Sequence, residues 1–245
     1  MKRIREALYI GLFDSLPLLR DPMLLIVLSM FSFLPVMFIY LFAGAGDTFN
    51  ASLVGAIVLS LAFVGLFSAQ SVYFNKHWFR FQDIFVASPV SPISYAIGLS
   101  VSTLIVSLPA VILAMALLLI GVPRPIWDIL AVVAVSAILW IATLMIGFAI
   151  GASTKNTRRA NSLPQVLGIV LGFLPPVYYP LERLPGFLQP IALLVPTTHA
   201  AELSKYYFGL ATIPDWEIVF GWLYLIAFTA VMGLIVVRRA HWVDP

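Results

Sequence analysis

The residues able to do chemistry in this 245-residue chain are few and far apart. His77, His199 and His241 fall in three separate loops or tails. No HExxH run sets two imidazoles on one helix face, and no GxSxG turn presents a nucleophile. Glu202 follows His199 by three residues, one helical turn, which suits an interfacial pair; a metal there would lack a third ligand. Gly151 to Lys155 (GASTK) superficially suggests a phosphate loop. It lacks the GxxxxGK[ST] spacing and follows an apolar run, so it reads as a helix end with a topogenic lysine. With no cysteine in the chain, thiolate metal sites, thiol redox chemistry and disulfides are excluded. No catalytic, cofactor-binding or metal-binding residue emerges, and without a Walker motif the chain is not expected to be an ATPase.

The elements that would position any such residues are membrane spans. Hydrophobic residues make up 62% of the chain and charged ones 10%, where a soluble domain carries about 25% charged residues. That balance, with a mean hydropathy of +1.03, describes an integral membrane protein. An ionisable group within a span is costly and is a functional candidate by default. The apolar intervals hold essentially none: Asp47, Asp128 and Glu217 sit at edges, and Gln70 and Gln165 are the main long polar side chains at depth. A proton- or sodium-coupled carrier needs carboxylates or histidine near the midplane. The chain offers no such relay.

A span needs roughly 20 apolar residues to cross a hydrocarbon core of about 30 Å. Six intervals qualify: Pro22 to Gly46, Thr48 to Asn75, Ile93 to Gly121, Ile129 to Ser153, Asn161 to Pro175 or Pro180, and Ile218 to Val237. Leu184 to Ala201 is refused, because it holds Pro185, Gly186, Pro190 and Pro196 and would put Arg238 and Arg239 on the wrong side. Six spans leave eleven basic residues on one side (Lys2, Arg3, Arg5, Arg20, Lys76, Arg80, Lys155, Arg158, Arg159, Arg238, Arg239) and only Arg124, Arg183 and Lys205 on the other. The positive-inside rule then puts both termini in the cytoplasm. The expected fold is an all-α membrane protein of six transmembrane helices, a single permease domain over residues 1–245, in the cell membrane.

Three segments lie outside the spans. Met1 to Pro22 is not expected to be a cleavable signal peptide, since it carries five charges besides Arg20 and Asp21 and no apolar core. Ile4, Leu8, Leu12 and Leu16 recur at i, i+4 against Lys2, Arg3, Arg5, Glu6 and Asp14, as in a basic helix lying at the interface. Asn75 to Pro92 (NKHWFRFQDIFVASPVSP) sets Trp78, Phe81 and Phe85 on one helical face and Lys76, Arg80 and Asp83 largely on another. Ser88-Pro89 and Ser91-Pro92 stop it, because proline lacks the donor and disfavours the helical state of the residue before it. Too short and charged to span, it lies on the membrane or docks a partner. Leu181 to Trp216 is an external excursion, apolar enough to dip back as two short helices broken at Pro196-Thr197. Thr197 or Thr198 is expected to cap the second, with Glu202 in its early turns. Gly147-FAI-Gly151 and Gly168-IVL-Gly172 permit close helix approach, within the chain or across a dimer. Tyr178, Tyr179, Tyr206, Tyr207, Phe208, Trp216 and Trp222 suit an interfacial belt first and a substrate surface second.

Two of these stretches carry a family likeness. Gln82 to Gly98 (QDIFVASPVSPISYAIG) resembles the segment between the second and third spans of ABC-type-2 transporter permeases, with Asp83 in place of the usual glutamate and a close match at Ser88-Pro89-Val90-Ser91-Pro92. Tyr178 to Lys205 is similar to the stretch after their fifth span, matching at Pro180-Leu181-Glu182 and Leu184-Pro185. It departs at Pro196-Thr197-Thr198-His199, with Thr198 and His199 where threonine and tyrosine are usual. The resemblance implies half of a dimeric membrane unit, partnered by a second copy or a related permease and by two ATP-binding cassette subunits that hold ATP and magnesium. This chain itself holds no cofactor, and no nucleic acid is implied. Residues 75–92 would be the coupling helix that fits a groove on the ATPase, through Arg80, Asp83, Phe85, Ser88, Pro89, Val90 and Ser91. Residues 181–216 would cap the exit, with Tyr178, Tyr179, Pro180, Leu181, Glu182, Pro196 and His199 as an external gate. Residues 1–22 would lie along the inner leaflet against membrane lipid.

The residues read alone agree that energy must enter from outside the chain, through residues 75–92 or the basic loop at 153–160. The function expected is the membrane subunit of an ATP-driven exporter moving a hydrophobic or amphipathic substrate outward. The rivals are a non-transporting membrane scaffold and an ATP-independent channel or carrier.

Overall fold

A computed structural model describes residues 2–77 and 92–239. In chain order it forms α1 (Lys2–Leu19), α2 (Pro22–Ala43), α3 (Asp47–His77), α4 (Pro92–Gly121), α5 (Ile126–Ser153) and α6 (Thr157–Phe173). A 3-10 turn (Leu181–Arg183), α7 (Gln189–Leu193), α8 (Pro196–Tyr207) and α9 (Asp215–Arg239) follow. Among the described residues there is no strand. Five helices, α2, α3, α4, α5 and α9, are long and apolar enough to cross a membrane. The interval expected to be the fifth crossing behaves differently: its helix begins early, at Thr157, and stops at Phe173 after 17 residues. Pro175 and Pro176 supply the reason, since neither has an N–H to continue the ladder and each constrains the residue before it.

The bundle is built around α3. Every residue from Ser52 to Leu66 is buried, because α2, α4, α5, α6 and α8 all pack against it. A helix apolar all round belongs inside a bundle, and small residues let its neighbours come close. A Cβ on Gly147 would lie 2.6 Å from the Gly65 carbonyl oxygen, and one on Gly151 2.6 Å from that of Ala69. On the adjoining side, a Cβ on Gly168 or Gly172 would run into Phe63 or Leu59, at 2.4 Å and 2.3 Å. Both GxxxG pairs therefore pack within the chain, against neighbouring turns of α3. The outer faces of α2 and α9 expose large apolar side chains such as Met30, Phe42, Leu223 and Val237.

α1 joins the bundle by the face next to its apolar stripe, about 100° round the helix. Leu8, Leu12 and Leu16 stay exposed, together with Tyr9 and Phe13, while Ala7, Gly11 and Ser15 are buried. These small residues, four apart, bring α1 against the first half of α4. A Cβ on Gly11 would sit 2.8 Å from Val101, and one on Gly98 2.6 Å from Ile10. The Ser94 hydroxyl donates to Glu6 Oε2 at 3.5 Å near the start of both helices.

Candidate functional site

The residues assigned to the external gate surround the broken end of α6. A helical Leu171 carbonyl would receive the N–H of residue 175, which is proline; Thr197 Oγ1 donates to it instead, at 2.6 Å. The Tyr179 hydroxyl is shared between the carbonyls of Phe173 (3.0 Å) and Leu174 (2.8 Å). Lys205 Nζ donates to the Pro176 carbonyl at 2.9 Å and reaches that of Tyr179 at 3.4 Å. Non-helical backbone buried in an apolar protein must find such donors. Tyr178 is wedged over α3: a Cβ on Gly55 would fall 2.6 Å from its ring, and its hydroxyl donates to the Ser32 carbonyl at 2.8 Å.

Pro196 and His199 complete the arrangement. α8 starts at Pro196 with Val195 as N-cap and no side-chain capping bond, so neither Thr197 nor Thr198 caps it. Both hydroxyls turn back to carbonyls instead, Thr198 to Ala192, and the break between the short helices falls at 194–195. The proline ring at 196 presets the first helical turn without needing a cap. His199 Nε2–H donates to the Leu193 carbonyl at 2.8 Å, and the ring packs on Tyr224 (centroids 4.4 Å apart) and Phe220 (5.5 Å). Burial lowers its pKa, against the pull of that carbonyl, so the ring is held neutral. It does not pair with Glu202, whose charge acts on Lys205 one turn further on. Burial pushes the Glu202 carboxyl up and the Lys205 ammonium down to about 8, while each partner's charge opposes the shift. Tyr178 and Tyr179 thus pack toward α2, α3 and the end of α6, whereas His199 packs toward α9. Pro180 and Glu182 face outward and Leu181 is half-buried; Glu182 reaches the group only through its charge.

Among the aromatics read as a belt, Phe208 and Tyr178 are buried instead. The Phe208 carbonyl is clasped by Arg124, whose Nε donates at 2.9 Å. The next residue, Gly209, has φ +62°, and a Cβ there would overlap the Arg124 guanidinium, so the turn requires glycine.

A second polar group lies at the other end of α3. The Asp14 carboxyl of α1 sits beside Ser102 of α4 and Asn75 of α3, and Tyr95 also reaches Asn75. Burial raises the Asp14 pKa, opposed by the Ser102 and Asn75 side chains. Immediately beyond is a cavity of about 160 Å3 between α1, α3 and α4, whose walls include Gln70, Ser71, Ser102 and Thr103. Sequence reasoning missed Asp14 as a site residue. The signal was present: Ala7, Gly11, Asp14, Ser15 and Leu18 form one stripe at helical spacing, small enough to be an interface. Gln165, by contrast, is exposed on α6. On the same end of α3, Tyr73 Oη meets Thr157 Oγ1 at 3.0 Å, and His77 Nδ1 lies 3.1 Å from the Tyr73 carbonyl.

The coupling residues Arg80, Asp83, Phe85, Ser88, Pro89, Val90 and Ser91 lie outside the described residues. Their flanks are described: α3 runs into the segment at His77 and α4 leaves it at Pro92. No curated protein matches the chain. A family model for the ABC-2 type transporter matches residues 14–209, which takes in α2 through α8, the segment between α3 and α4, and the broken end of α6. With four-fifths of its length covered, the chain belongs to the ABC-2 type transporter family, as a membrane permease component.

Proposed function

We propose that this chain is the transmembrane subunit of an ATP-driven exporter that moves a hydrophobic or amphipathic substrate out of the cytoplasm or inner leaflet. Separate ATP-binding cassette subunits would dock on residues 75–92 and supply the energy. The observation that carries this reading is the position of α3: it is buried along most of its length against five other helices, and its last residue opens into the docking segment. A push on that segment would act on the helix that holds the bundle together. A non-transporting scaffold has no use for such an arrangement.

The layout belongs to the same proposal. α6 starts beside Tyr73 of α3, and Tyr178 packs beside Gly55. Eighteen residues of α3 separate these two levels, about 27 Å at 1.5 Å per residue, close to a hydrocarbon thickness. α6 and the bent residues 174–179 would together make the sixth crossing, with α7 and α8 as the external re-entrant pair and both termini cytoplasmic. The whole chain would form one permease domain, working as a dimer with a second copy or a related permease.

Replacing Arg80 and Asp83 together by alanine is the test. Transport-coupled ATPase activity of the reconstituted complex should fall by about tenfold or more, as expected when a charged docking contact is lost, while membrane insertion is unaffected. An unchanged coupled rate would favour the scaffold or an ATP-independent carrier.

A further inference from the structure

The cavity at the Asn75 end of α3 has the chemistry of a binding site. Its polar walls are Gln70, Ser71, Ser102 and Thr103, and its apolar walls include Leu18, Phe67 and Val106. The Thr103 hydroxyl proton is already given to the Ser100 carbonyl at 2.8 Å, so toward the cavity the oxygen offers lone pairs. Ser102, 1% exposed, lines the same hollow and lies beside the Asp14 carboxyl, whose charge it favours. Asp14 adjoins it, one helical turn before Leu18 on the same face of α1. Among the described residues no lysine or arginine balances that carboxylate; only the neutral Ser102 and Asn75 side chains favour its charge. A partly buried carboxylate with no cation among the described residues, beside a hollow whose walls are mostly apolar with a few hydroxyl and amide groups, is an unfinished ion pair.

We propose that this cavity binds the N–H-bearing ammonium group of an amphipathic amine, with Asp14 as its counter-ion and the Leu18, Phe67 and Val106 walls holding the first carbons of its tail. The volume fits such a headgroup and a few methylenes, not a whole lipid. Two sources share that chemistry: a transported amine, and the headgroup of a resident aminophospholipid. The transported-amine arm rests on the export reading above; binding itself does not.

The test is saturable binding of dodecylamine, with dodecanol as the uncharged control, to the full chain purified in nanodiscs without nucleotide. Dodecylamine should bind and raise the unfolding midpoint while dodecanol does neither. Asp14→Asn should weaken binding by about thirtyfold or more, the scale for truncating one partner of a buried charge pair. Ser102→Leu, which fills the hollow and leaves the charge, should abolish it and serves if Asp14→Asn fails to fold. Equal binding of dodecanol, or undiminished dodecylamine binding in both variants, overturns the proposal. Weaker dodecylamine binding in phosphatidylethanolamine than in phosphatidylcholine nanodiscs assigns the site to the resident headgroup; equal binding assigns it to a transported amine. Because no ATPase is involved, loss of coupling in the Arg80 and Asp83 experiment and loss of binding here are independent results.

Discussion

Lys205 directs its ammonium to backbone carbonyls and not to a carboxylate oxygen, and so stands in for the N–H groups that Pro175 and Pro176 remove. Its titration should be visible. Below pH 8 the lysine is charged in both folded and unfolded chains, and folding bears the whole desolvation penalty. Between about 8 and 10.5 the unfolded chain holds the extra proton, so stability rises with pH. The difference in unfolding free energy between wild type and Lys205→Met should therefore grow by something on the order of 3 kcal/mol across that window. Unfolding in detergent at stepped pH checks it, and parallel curves would assign the lysine a different environment. His199 acts at the other end of the scale. Its folded pKa lies below the ordinary histidine value, so its contribution is present above about pH 6.5 and is lost as pH falls through the lowered pKa.

Elements meet here by exclusion of side-chain bulk. α3 and α5 approach through Gly65, Ser68, Gly147 and Gly151, and an added Cβ on Gly147 or Gly151 would strike backbone oxygens that cannot swing away. Gly147→Ala should destabilise the protein by about 1–3 kcal/mol through overpacking. Gly233→Ala in α9, where a new Cβ meets nothing within 4 Å, should be neutral or gain up to about 1 kcal/mol of helix propensity. Unfolding curves for the two variants in the same detergent make the comparison; equal losses would mean that α3 and α5 are not in close contact. The same principle explains α1. Its leucine stripe was legible from spacing, but whether that stripe faced protein or the surroundings was not. The small residues Ala7 and Gly11 decided it, because only they allow α1 to reach Gly98 of α4.

At the scale of the molecule, what distinguishes five crossings from six is the route from Lys155 to Arg183. Because the chain has no cysteine, single replacements can be labelled without background. With six crossings, Lys155→Cys should be shielded from an impermeant maleimide in intact cells and react after permeabilisation, while Arg183→Cys reacts from outside. If both label from the same side, α6 does not cross. Cysteines at 183 and 155 also bracket the polar groups at the two ends of α3, so the answer fixes which group faces which side.

The sequence by itself determined the class and most of the boundaries. A charge-poor, apolar chain must sit in a membrane, prolines must break its helices, and the motifs between the second and third spans and after the fifth carried the family likeness. These are local properties, set by composition and by what a proline or a glycine can do within a few residues. What only the tertiary structure decided are the pairings across long separations: Thr197 with the Leu171 carbonyl, Lys205 with Pro176, Tyr178 with Gly55 and Ser32, and Asp14 with Ser102 and Asn75. The reason is physical. Spacing could suggest a capping role for Thr197 and a topogenic one for Lys205, but not the carbonyls that a broken helix, distant in sequence, has left without donors.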